Sequence, residues 1–88
     1  MIRWLLRRFQ AEPVLTRLSP HEAEQLARAV ATKEKWTWLE PVTVHVTTNG
    51  EHGPVWEVTS NQLGIGTNVR IQIRDADGLV LHKAFLPR

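Results

Sequence analysis

Four apolar-rich runs separated by turn signals, at Val42–Thr48, Pro54–Ser60, Asn68–Arg74 and Leu79–Leu86, constrain this chain more than any other feature. A strand shows successive side chains to opposite faces. Val69, Ile71 and Ile73 alternate with Arg70, Gln72 and Arg74, which predicts a strand with one dry and one wet face. The same period sets Val42, Val44 and Val46 against Thr43, His45 and Thr47, and Trp56 and Val58 against Glu57 and Thr59. Strands of this kind in succession predict an antiparallel meander with one buried and one hydrated face.

The connections carry their own chemistry. Asn49-Gly50 is a turn signal, but the link runs on through Glu51, His52, Gly53 and Pro54, so a hairpin loop longer than two residues is expected. In the stretch from Asn61 to Asn68, Gly64 and Gly66 alternate with Leu63 and Ile65, giving a flexible loop with apolar side chains. Asp75-Ala76-Asp77-Gly78 suits a type I turn followed by a left-handed glycine. A three-residue loop there places Ile73 opposite Leu81, Ile71 opposite Lys83 and Val69 opposite Phe85, with Lys83 the lone polar exception.

A sheet with one dry face needs a cover. Ser19, Pro20 and Glu22 form a helix start: Ser19 caps, Pro20 fits the first helical position, and Glu22 completes a capping box. The helix is expected over 19–34, with Ala23, Leu26, Ala27 and Val30 as its apolar stripe and Leu18 stapled against Ala23. Glu24 and Arg28 stand four apart, acid first, which favours a pair. Trp36 and Trp38 follow as a linker whose indoles plug one end of the core, and Glu40-Pro41 then disfavours helix and leads into the strands.

The predicted fold class is therefore α+β: one domain over 1–88, a helix packed on one face of a four-stranded antiparallel meander over 42–86. An additional short amphipathic segment is expected at 1–10, where Ile2, Leu5, Leu6 and Phe9 lie at helical spacing with Arg3 and Arg7 on another side. So short a helix needs a support. Packing of Trp4, Leu5 and Phe9 on the sheet is the expectation, and contact of Ile2, Arg3, Trp4, Leu5, Arg7 and Phe9 with an anionic membrane surface competes with it. Pro13 breaks the pattern.

Read from Ala23 to Phe85, the chain resembles the small PepSY-type domains, in which a helix precedes a strand meander carrying a W-x-V motif and a closing turn motif. Trp56 and Val58 match the first motif; Ile73, Asp75, Gly78 and Val80 match the second, with Asp77 in place of the usual hydroxyl residue. The order of elements is also similar to cystatin-like domains and to immunity domains of bacterial toxin systems that set a helix on a curved sheet. These resemblances imply inhibition, regulation or protein binding, sometimes at the cell envelope, and supply no catalytic residue.

Chemistry-bearing patterns are sparse. There is no cysteine, so disulfides and thiolate ligands are excluded. His21, His45, His52 and His82 lack metal-ligand spacing. Asp75, Asp77 and Gly78 match part of a calcium loop, but Leu86 stands where its closing acid is required. Ser19 is committed to capping, Ser60 has no assignable His and acid partners, and Glu57 is expected to be wet. Gly64-Ile65-Gly66 lacks the remainder of either phosphate-binding glycine motif. No catalytic residue, metal or cofactor is therefore expected.

The expected function is non-enzymatic binding of a protein or peptide. The open sheet face and the adjacent loop would provide the contact through Arg70, Gln72, Arg74, Leu63 and Ile65, with Trp36 or Trp38 as apolar anchors. A homodimer formed by edge pairing of the final strand is a further expectation. A net charge of +2 and Glu57 on the same face disfavour nucleic acid, which wants a wider basic patch or exposed rings. No apolar run reaches the roughly 20 residues of a membrane span. The first ten residues are too short and too arginine-rich for a complete signal peptide. The expected location is cytoplasmic or peripheral at a membrane, with export left open.

Overall fold

The computed structural model describes residues 15–62, 64 and 66–87. Helix α1 (Pro20–Glu34) precedes strands β1 (Val42–Asn49), β2 (Gly53–Ser60), β3 (Asn68–Arg74) and β4 (Val80–Leu86). The strands pair antiparallel in sequence order, forming an open sheet with α1 on one face. This is the expected α+β meander. The amphipathic segment expected at 1–10 lies outside the described residues, as do Leu63 and Ile65.

Both ends of α1 are closed by local chemistry. Ser19 Oγ accepts from the Glu22 N–H at 3.1 Å, and the Glu22 carboxylate accepts from the Ser19 N–H at 2.8 Å. The capping box is complete, with Pro20 at the first turn and Leu18 and Ala23 both buried as the staple requires. At the other end Lys35 adopts left-handed geometry, φ 62° and ψ 34°. The Trp36 N–H donates to Ala31 O and the Lys35 N–H to Thr32 O, the paired bonds of a Schellman closure. This reversal directs Trp36 back toward the core, where its ring stacks on Phe85 at 5.7 Å between centroids and 12° between planes.

The stripe that α1 buries differs from the expected one. Ala23, Ala27 and Ala31, four residues apart, are buried, while Val30 lies at the margin and Leu26 is 37% exposed. Residues four apart share one helix face, so these three methyl groups form a small-residue stripe that lets the helix approach the sheet closely. Beneath them lie Trp56, Val58, Val69, Ile71 and Ile73. Arg28 ties the outer side of α1 to the entry of β1: it pairs with Glu24 at 3.3 Å and Glu40 at 3.0 Å, and its guanidinium stands 5.7 Å from the Trp38 ring centroid.

The first hairpin pairs Asn49 with Gly53, leaving residues 50–52 as its loop and extending both expected strands by a residue. In the last hairpin the expected partners Val69–Phe85 and Ile71–Lys83 are observed, but Ile73 faces Val80 instead of Leu81. The loop has four residues, 75–78, with Gly78 at φ 73° and its N–H donating to Arg74 O. A bulge at Leu81 then restores the register. One extra turn residue and one extra strand residue cancel, so the two registers agree beyond the bulge.

Candidate functional site

The register builds the face opposite α1 in rows. Thr43, Thr59, Arg70 and Ala84 lie side by side; His45, Glu57, Gln72 and His82 form the next row; Thr47, Val55 and Arg74 form a third. The expected set Arg70, Gln72 and Arg74 is therefore assembled on this face. Thr59, expected to be wet, is only 6% exposed because it sits on an interior strand between Thr43 and Arg70. His45 and His82 share a row but stand three strand spacings apart, about 14 Å, too far to share a ligand. Among the described residues no three His, Asp or Glu side chains converge as a metal site requires.

The polar groups of this face differ in how far they are already engaged. Glu57 accepts from Gln72 Nε2 at 3.1 Å and lies 3.5 Å from His45 Nε2. Arg74 is clamped by Asp77 through both Nε and a terminal nitrogen. That hydrogen bond, with the Leu79 N–H and the guanidinium charge, holds the Asp77 carboxyl down at about 2. Arg70, by contrast, is exposed and has no acidic partner among the described residues.

Arg70 lines a depression of about 400 Å3 with Thr59, Gln62, Gly64, Asn68, His82, Ala84 and Leu86. The described residues of the loop beside it are hydrogen-bonded within the loop and to its neighbours. Asn68 Nδ2 donates to Ser60 O and Asn61 O, Asn61 Nδ2 donates to Gly66 O, and the Asn61 N–H donates to Leu39 O. Asn61 and Thr67 both take left-handed φ, 51° and 53°. Leu86, 61% exposed, gives the depression an apolar rim.

Trp36 and Trp38 do not join this site. Both pack against the core on the α1 side, so the indoles and Arg70 occupy opposite faces of the sheet. The composite contact expected from sequence separates into a polar open face and an aromatic plug.

Ser60 and Asp75 both have structural partners. Ser60 is fully buried and its Oγ accepts from the Val69 N–H at 2.9 Å. Asp75, expected only as a turn residue, is 4% exposed and joins three parts of the chain. It accepts from the Arg17 N–H at 2.6 Å, the Leu18 N–H at 2.8 Å and the Trp56 indole at 2.9 Å. Burial pushes its carboxyl up, but the N–H donors of Arg17, Trp56 and Leu18 together hold it below the ordinary range. The signal for this node was Trp56, since a buried indole N–H needs an acceptor.

Lys83 explains itself the same way. It falls on the α1 side opposite Ile71, and its Nζ reaches Glu34 Oε2 at 2.6 Å, holding the Glu34 carboxyl below its usual value.

No helix among the described residues is long and apolar enough to cross a membrane. No family model, curated protein or solved structure matches the chain.

Proposed function

We propose that this domain is a non-enzymatic module that binds a protein or peptide through its open sheet face, with Arg70 as the main polar contact. One observation carries this reading: an exposed guanidinium without an acidic partner among the described residues lines a depression beside apolar Ala84 and Leu86. A planar five-donor group in such a place suits a carboxylate flanked by an apolar side chain. The ligand class is thus a peptide segment carrying Asp, Glu or a free C-terminus next to an aliphatic residue. Support for a non-catalytic role comes from what the candidate groups already do, since Ser60, Asp75 and Asp77 are each bonded to the fold. The PepSY-type resemblance points to the same class of activity.

The test is selection of random peptides on the full chain, followed by calorimetric titration of the enriched sequences. Enriched peptides should share the acid-plus-aliphatic pattern and shift the amide resonances of Thr59, Arg70, His82 and Leu86. Arg70→Glu should weaken them by about tenfold or more, whereas Arg74→Glu should do less because Arg74 is already clamped. Equal affinity of the Arg70→Glu variant would overturn the assignment. So would selective broadening of residues 1–10 by anionic vesicles with no peptide enriched, which would favour membrane attachment. Tight single-stranded DNA binding that falls steeply with salt would favour a nucleic-acid role.

A further inference from the structure

The sheet has two outer edges, and they are built differently. β4 carries the devices that stop an edge from pairing: a bulge at Leu81, a lysine at position 83 on the α1 side, and Pro87 directly behind it. β1 has Pro41 directly before it but carries neither a bulge nor a charged side chain within the strand. Its eight residues, Val42–Asn49, run in unbroken register with β2 and include no Lys, Arg, Asp, Glu or Pro. Among the described residues nothing pairs with its outer side. Val42, Val44 and Val46 pack against the core yet stay only half-buried, leaving an apolar rim along that edge.

The sequence of β1 is also self-complementary. Val42-Thr43-Val44-His45-Val46 places valine symmetrically on both sides of Val44. A twofold axis normal to the sheet, midway between the two copies of Val44, would set Val42 opposite the second copy's Val46 and the two Val44 residues opposite each other. Thr43 would face His45 of the other copy. A twofold interface requires this self-complementarity, and no charge on either edge opposes it.

We infer that β1 is a self-pairing edge, joining two copies of this chain antiparallel along Val42–Val46 into one eight-stranded sheet. Rotation about an axis normal to the sheet preserves its faces. Both helices therefore lie on one side, and the two open faces merge into a single surface bearing both Arg70 side chains. One strand pair is a small interface, so the dimer belongs to the weak class. The expected final-strand dimer is thereby moved to the opposite edge.

The experiment is sedimentation equilibrium of the full chain from about 10 μM to about 1 mM, a range that spans weak association. The average mass should climb toward twice the monomer. Thr43→Lys with His45→Lys alters two exposed positions and would set like charges across both cross-copy pairs. This variant should dissociate at least about tenfold more readily while its circular dichroism stays unchanged. Thr43→Glu with His45→Lys sets opposite charges across the same pairs and should restore or tighten association. A wild-type chain that stays monomeric throughout, a lysine variant that associates like wild type, or a charge-swapped variant that associates no better than the lysine variant would overturn the inference.

Discussion

Replacing Asp75 with asparagine removes a charge and almost no volume, so it isolates what the carboxylate does. Oδ1 accepts from the Leu18 N–H and the Trp56 indole, and Oδ2 accepts from the Arg17 N–H. An amide can present only one oxygen. If that oxygen keeps the two Oδ1 bonds, the new NH2 group faces the Arg17 N–H, donor against donor. Hydrogen bonds to charged groups contribute about 1.5–3 kcal/mol and neutral ones about 0.5–1.5. Losing one and weakening two, offset by relief of burying a charge, amounts to about 2–4 kcal/mol. For a domain of this size that lowers the melting temperature by roughly 10–25 °C. Urea unfolding at neutral pH, followed by circular dichroism, measures the loss. Trp56→Phe, in a double-mutant cycle with Asp75→Asn, should return a coupling of about 1 kcal/mol.

The pH dependence supplies an independent check on the same carboxylate. Its folded value lies below its unfolded value of about 4. The unfolded chain therefore takes up the proton first as pH falls. The stabilisation is complete above pH of about 4 and disappears as pH drops through the folded value. The gap between wild type and Asp75→Asn should then narrow below pH of about 4, with Asp77 and Glu34 titrating in both proteins alike. A loss under about 0.5 kcal/mol at neutral pH, or a gap that does not narrow in acid, would refute the reasoning.

Two further outcomes follow from the C-terminal end of α1. Lys35→Gly removes a side chain from left-handed backbone and should raise stability by about 0.5–1 kcal/mol in urea unfolding, with no change in peptide binding. Trp36→Ala strips the plug from Phe85 and should cost about 2–3 kcal/mol because the ring is only half-buried, while binding to peptides at Arg70 persists at temperatures where the variant remains folded.

Much of the architecture was legible because it rests on periodicities that adjacent residues display together. Ser19, Pro20 and Glu22 marked the helix start, and Val69–Ile73 against Arg70–Arg74 marked a two-faced strand. What escaped depends on partners far away in sequence. Asp75 satisfies turn grammar by itself, and two of its donors are backbone N–H groups of Arg17 and Leu18, which leave no side-chain signature. Lys83 looked like an exception in its pairing until Glu34, 49 residues earlier, supplied its counter-ion. The bulge at Leu81 was hidden because Leu79, Val80 and Leu81 are all apolar and do not report which face each takes. The candidate site was legible as a face but not as a set of availabilities. Nothing in the spacing of Arg70 and Arg74 told that Asp77 occupies one and leaves the other.

The Asp75 node also has a kinetic meaning. The backbone leading into α1 is fastened to a carboxylate 57 and 58 residues later, in the turn of the last hairpin. α1 can form early on its local caps, but its entry is fixed only once β3 and β4 have turned around residues 75–78. The loop-closure entropy of that long span must be met before the contact yields anything. Fixing of the helix entry is therefore expected to follow closure of the last hairpin, so Asp75→Asn should speed unfolding in stopped-flow urea jumps more than it slows folding.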